Sequence, residues 1–281
     1  MDDDTKNPKD KGERVKYPGP RQILRYMRLE HENRDDGTVW VRTPVLDDLR
    51  DPGGAISMGA LAPMCDMASG VLANRRVSPD WVATQDFKMH LSQPVTSGFV
   101  TALCRPLRVG KNTVLSESTL TDDDGAEVGK SYVTFTRLPR RTDNPAPPPR
   151  KGIMYYHHED EEPRLPLDEY LGLRFDPDAA AFELDHGPRI HNSFGSIQGG
   201  AMGALLERAG AYAAQRHFGQ PTRSIDMHFS YTAQAKVGPF SVAAEVIRAD
   251  DRGVMSRVQL VDTGLEDRVA AVGTVFSVPI A

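Results

Sequence analysis

Residues 192–214 read NSFGSIQGGAMGALLERAGAYAA, a loop that turns through a glycine pair into an apolar helix. One acid, Glu207, sits in the middle of that helix. Three and four residues to either side lie Gly203, Ala204, Gly210 and Ala211, all small, and on a helix these share its face. A carboxylate walled by small side chains leaves room for another molecule, whereas a buried and unpaired charge would be costly.

The same pattern occurs earlier in the chain. Set against residues 197–212, IQGGAMGALLERAGAY, residues 56–71 read ISMGALAPMCDMASGV, and the two align without a gap. Ile56 meets Ile197, Gly59 meets Gly200, Asp66 meets Glu207 and Ala68 meets Ala209. Asp66 is also flanked by small residues, Ala62, Pro63, Ser69 and Gly70. Further on, Met89-His90-Leu91-Ser92 is set against Met227-His228-Phe229-Ser230. Each half then alternates apolar and polar residues between Asp/Gly turns, VLSESTL and SYVTFTRL in the first, VMSRVQLV and VAAVGTVFSV in the second. Such period-two segments read as antiparallel, half-buried strands. Each half is therefore an α+β unit: a strand, a loop, one longer helix, then three or four antiparallel strands against which the helix buries its apolar face. The expected organisation is a disordered tail over 1–19, one domain over 20–138, a Pro-rich and acidic linker over 139–163, and a second domain over 164–281. The linker contains RLPRRTDNPAPPPRKG (137–152 with its approach) and the acidic run Glu159 to Glu162.

Composition excludes several functions. At 281 residues the chain has room for two domains, and its net charge of −5 comes with no basic stripe of the kind that binds nucleic acid. Cys65 and Cys104 lie far apart with no His or Cys at ligand spacing, which argues against a zinc site or a disulfide framework. Residues 1–20 hold no apolar segment of a signal peptide, and no run of about 18 apolar residues occurs, so a cytoplasmic protein without a membrane span is expected.

The motif Asn192, Gly195, Gln198-Gly199-Gly200 and Glu207, followed by SIDMHFSYTAQAKVG (224–238), resembles the hotdog-fold acyl-CoA thioesterases, in particular their phenylacetyl-CoA and 4-hydroxybenzoyl-CoA thioesterase-like branches. The likeness covers most of 164–280 and, more weakly, 20–138, so the chain looks like a tandem double hotdog. The resemblance implies hydrolysis of an acyl-CoA thioester, with coenzyme A entering as part of the substrate, no separate cofactor and no metal. It is also compatible with a homo-oligomer of double-hotdog chains.

Thioester hydrolysis needs donors for the oxyanion and a carboxylate that attacks or activates water. Glycines at a helix start expose N–H groups along with the positive end of the helix dipole. Gly199 N–H is the candidate oxyanion donor, with the Asn192 amide beside it. Gly199 and Glu207 are eight residues apart, about 12 Å along a helix. One carbonyl cannot reach both, so the loop of each half is expected to work with the acid of the other. Site A joins Asn192, Gln198 and Gly199 to Asp66; site B joins the loop from Asp51 to Met58 to Glu207. Asp51 stands where the amide belongs and would repel an oxyanion, which favours site A. The family places a Ser or Thr on the next strand near the acid; Ser224 fits beside Glu207, and the first half offers Asp86 or Thr84 according to where a gap falls. Gln198 stands where the family has His and cannot carry a proton near neutral pH; His186 and His191 flank the loop as possible substitutes. Coenzyme A phosphates call for cations, for which Lys111 with Asn112 and Arg223 with Arg252 are the candidates. Two further readings stay open: a non-catalytic acyl-CoA-binding or regulatory pair, and an enoyl-CoA hydratase. The hydratase branch uses an Asp-x-Asn-Pro-x-His run that Asp185 to His191 lacks.

Overall fold

The structure, a computed structural model, describes residues 18–19, 21–140, 153–156, 164–176 and 181–280. The first half runs α1 (Ile23–Tyr26), β1 (Glu30–Asn33), β2 (Val39–Pro44), a 3-10 turn (Asp47–Leu49), α2 (Met58–Val77), β3 (Trp81–Leu91), β4 (Phe99–Val109), β5 (Thr113–Thr121) and β6 (Glu127–Leu138). After β7 (Ile153–Tyr155), the second half runs α3 (Leu167–Leu171), β8 (Arg174–Asp176), β9 (Ala181–Leu184), α4 (Gly199–Phe218), β10 (Thr222–Tyr231), β11 (Phe240–Asp250), β12 (Gly253–Asp262) and β13 (Arg268–Pro279). It is an α+β double hotdog: each half is one long helix packed on an antiparallel sheet.

The alternation seen in the sequence forms the strands, and they join into one sheet in the order β7-β1-β2-β4-β5-β6-β3-β10-β13-β12-β11-β9-β8. The halves meet where β3 pairs antiparallel with β10, with Met89 opposite Met227 and Phe87 opposite Phe229. These four side chains are fully buried and form the floor of the core under both helices. The rings of Phe87 and Phe229 stack with centroids 6.5 Å apart, so the seam is apolar and continuous. Both long helices are apolar on nearly every side because each is covered by the sheet on one face and by the other helix beside it.

The helices approach closely at Gly200. A Cβ there would lie 2.7 Å from the Ala62 carbonyl oxygen and 2.8 Å from Pro63 N, both fixed backbone atoms. Gly200 is therefore a packing requirement, and it sets how the start of α4 meets the middle of α2. Each helix starts on a side-chain cap: Ser57 Oγ accepts from Ala60 N (3.1 Å) and Gln198 Oε1 from Ala201 N (2.6 Å).

Two readings of the sequence change. The strand register shifts between Thr84 and Asp86 on β3 and between Ser224 and Asp226 on β10, so each strand carries the same bulge. Matching the bulges makes Thr84 the counterpart of Ser224, and Met89 of Phe229, two residues away from the Met-His alignment. The Met-His pairs matched in sequence because Met89 and Met227 face each other across the seam. Within the stretch read as linker, Ile153–Tyr155 pairs with β1. The tail through residue 17 and the acidic run Glu159 to Glu162 lie outside the described residues.

Candidate active site

Asp66 is buried halfway along α2, and its partners come from two other elements, β3 and the start of α4. Thr84 Oγ1 on β3 donates to Oδ1 (2.8 Å), and Gln198 Nε2, at the start of α4, donates to Oδ2 (2.5 Å). The Gly200 N–H is turned to the same carboxylate and favours its charged form. Burial pushes the Asp66 pKa up to about 6, against the pull of the Thr84 hydroxyl and the Gly200 N–H. A Cβ on Gly199 would sit 2.8 Å from Asp66 Oδ1 and overlap Thr84 Oγ1, so a side chain there would push the Thr84 hydroxyl away from the acid. Among the described residues no acceptor takes the Gly199 N–H, which is one of the orphan donors of the helix start. A free donor and a buried carboxylate thus lie side by side, one from each half.

Glu207 has the equivalent place on α4. Burial pushes its pKa up to about 7; the Ser224 hydroxyl and Arg208 lower it, and Asp168 and Asp51 raise it. A Cβ on Gly59 would lie 2.5 Å from Glu207 Oε2, so this acid faces the start of the first-half helix. Ser224 Oγ is 3.0 Å from Ser277 Oγ behind it. The loop chemistry differs, however, since Ser57 stands for Gln198 and Met58 for Gly199. A cavity of ≈ 120 Å³ opens nearby, between Ile56, Leu61, Leu91, Val95, Ile225 and Val278.

Several sequence candidates take other parts. Asn192 Oδ1 accepts from Phe194 N (2.8 Å) and Ser196 N (3.2 Å), and its Nδ2 donates to Ser196 Oγ (2.7 Å). Its amide is spent on bracing its own loop and is not turned to a reacting carbonyl. Asp51 does the same in the first half, accepting from Gly53 N (2.8 Å) and Ala55 N (3.2 Å). Its other oxygen is held by Arg223 Nε, with Nη2 3.2 Å from Oδ1. That ion pair corrects two expectations: Asp51 is neutralised and does not confront an oxyanion, and Arg223 is a structural partner instead of a free cation.

Lys111 and Asn112 lie exposed in the β4–β5 turn, beside the end of β6 that pairs with Trp81, three residues before Thr84. Trp81 in turn meets Phe194 of the second-half loop edge-on at 5.0 Å, which puts this turn at the Asp66 end of the sheet. Arg252 lies in the β11–β12 turn at the Ser277 end, where its N–H groups meet Asp250. His186 and His191 pair with each other (3.0 Å), and His186 Nε2 meets the Gly195 carbonyl (2.9 Å), so they support the loop from behind. His90 and His228 form reciprocal pairs across the seam, with Asp226 and with Asp86.

Thr84 settles the gap left open by the sequence: it, and not Asp86, stands beside the first-half acid. Tyr231 went unnoticed in sequence, because a tyrosine closing a strand carries no mark of a site. Its hydroxyl donates to the Gly199 carbonyl (2.8 Å).

The second half, over residues 194–267, matches the thioesterase superfamily family model, and residues 3–132 match the acyl-CoA thioesterase C-terminal domain model. No curated protein matches the sequence significantly. An acyl-ACP thioesterase structure from Bacteroides thetaiotaomicron aligns over 86% of this chain and 98% of its own, with 13% identity and a TM-score of 0.60. A Lactobacillus plantarum protein described as an oleoyl thioesterase aligns over 87% and 97%, at 10% identity and a TM-score of 0.61. A hotdog-fold protein from Alicyclobacillus acidocaldarius aligns over 92% and 98%, at 11% identity and a TM-score of 0.58. At these identities the structures speak to the fold, while the family matches support thioester hydrolysis. Among the described residues no helix is long and apolar enough to cross a membrane. With a thioesterase model matched in each half and one helix-on-sheet unit repeated along a single sheet, the chain belongs to the hotdog-fold thioesterase superfamily as a tandem double hotdog.

Proposed function

We propose that the protein hydrolyses acyl-CoA thioesters at the composite site around Asp66. The observation that carries this reading is the 2.5 Å contact of Gln198 Nε2 with Asp66 Oδ2, beside the unoccupied Gly199 N–H. The acyl carbonyl oxygen is bound by the Gly199 N–H, where the helix dipole favours developing negative charge. Asp66, held at both oxygens by Thr84 and Gln198, takes a proton from a water as that water attacks the carbonyl carbon. The tetrahedral intermediate collapses, the C–S bond breaks, and Asp66 returns the proton to the departing thiolate, giving free acid and coenzyme A. A pKa near 6 suits this cycle, since the acid is ionised at neutral pH yet can hold a proton briefly. The match of residues 3–132 to an acyl-CoA thioesterase domain supports coenzyme A as the leaving group, with Lys111 and Asn112 as the polar rim at this end of the sheet.

The test is thiol release from a panel of acyl-CoA esters by the native chain, Asp66→Asn and Glu207→Gln. We expect turnover by the native chain, a loss of about 10²–10⁴-fold in kcat for Asp66→Asn, and kcat kept within a few-fold in Glu207→Gln. Absence of turnover with every ester, or equal rates in Asp66→Asn, would overturn the proposal.

A further inference from the structure

We infer that Tyr231 is a positioning residue of the Asp66 site, its hydroxyl holding the Gly199–Gly200 peptide in the orientation that serves the carboxylate. Tyr231 Oη donates to the carbonyl oxygen of this peptide at 2.8 Å. The N–H of the same peptide, on Gly200, is turned to Asp66 and favours its charged form. Because a peptide group is planar and stiff, the Tyr231 bond at one side and the Asp66 contact at the other fix one plane, that of the Gly199–Gly200 peptide. That matters here because two consecutive glycines leave the backbone otherwise free to turn. A donor on the carbonyl also polarises the N–H at the far side, so each bond strengthens the other.

The other half lacks the donor of this link and the first glycine of the pair. Leu91 is the counterpart of Tyr231 on β3 and has no donor. Met58–Gly59 replaces the glycine pair. At the place of Gly203, where a Cβ would come 3.5 Å from Tyr231 Oη, the first half has Ala62. Tyr231 therefore distinguishes the Asp66 site from the Glu207 site. The groups that face Asp66 are Thr84 from β3, Gln198 and Gly200 from α4 and Tyr231 from β10, with Cys65 beside it on α2; burial raises the Tyr231 phenol pKa, and the charges of Asp66 and Asp86 raise it further.

The inference rests on the hydrolase reading only in its kinetic arm. Tyr231→Phe keeps the ring and removes the hydroxyl. In the full-length chain its Gly200 amide proton should move upfield in a ¹⁵N-resolved spectrum, and the Asp66 carboxyl should titrate at higher pH by about half a unit. In the acyl-CoA assay, kcat should fall about tenfold with KM held within twofold, and the acid limb of the pH profile should move up. Leu91→Phe, a size change at the counterpart position, should leave the Gly200 resonance and the Asp66 titration as they are. An unchanged Gly200 shift and Asp66 titration in Tyr231→Phe would overturn the inference, as would a loss confined to KM. Failure of the native chain to hydrolyse any ester would remove the hydrolase reading alone, because the spectra still decide the role of Tyr231.

Discussion

Alanine at the two adjacent glycines should separate packing from chemistry. At Gly200 the new methyl would meet the Ala62 carbonyl oxygen at 2.7 Å and Pro63 N at 2.8 Å, with Pro63 Cα nearer still. All three belong to the backbone of α2, and no rotamer change relieves them, so the helices must separate by several tenths of an ångström. Overpacking of this kind costs about 1–3 kcal/mol, and the helical preference of Ala over Gly returns about 1 kcal/mol. With the clash entirely on backbone, the upper end applies, leaving a net loss of about 2 kcal/mol. In a chain of this size that lowers Tm by about 4–8 °C. At Gly199 the methyl meets side chains instead, Thr84 Oγ1 and Asp66 Oδ1. Thr84 can rotate away, so Gly199→Ala should keep Tm within about 2 °C but lose the Thr84–Asp66 bond and narrow the access to the Gly199 N–H. Its kcat should fall by about 10²-fold or more, the cost of losing an oxyanion donor. Thermal unfolding followed by circular dichroism, together with thiol release, reads both quantities. Equal destabilisation by the two substitutions, or full activity in Gly199→Ala, would refute the reasoning.

Two other outcomes follow from the buried charges. Burial raises the Glu207 pKa from 4.5 to about 7, so the folded chain binds the proton more tightly than the unfolded chain between those values, and stability falls as pH rises through that window. Glu207→Gln should therefore gain up to about 3 kcal/mol over the native chain at pH 8 and little at pH 4, as read by urea unfolding at both values. Arg223→Ala leaves Asp51 buried without its cation, and should cost about 2 kcal/mol; Asp51→Asn in the same chain should recover most of it, because the asparagine at 192 braces the matching loop without any cation.

The repeat, the two helices and the half-buried strands were legible because periodicity and a gapless match of sixteen residues leave few alternatives. The crossing of each acid to the other half's loop was legible too, since it needs only the rise of a helix. The parts that the sequence hid depend on contacts between distant segments. The Met-His match joins residues that face each other across the seam and sets β3 against β10 two residues out, so Thr84 could not be told from Asp86. Asn192 and Asp51 look like a catalytic amide and its degraded copy, yet they do the same backbone work, which is visible only once the loop is closed. Arg223 looked free because its partner lies 172 positions away. Tyr231 acts through a backbone carbonyl, a partner that any residue could supply.

The central claim is that an acid from the first half and a helix start from the second serve one reacting carbonyl. A crystal structure of the native chain with a non-hydrolysable acyl-CoA analogue, its sulfur replaced by methylene, tests it most directly. The ketone oxygen should lie within hydrogen-bond reach of the Gly199 N–H, with the Asp66 carboxylate facing the carbonyl carbon. A ketone oxygen held instead at Met58 or Gly59, with Glu207 facing the carbon, would contradict it.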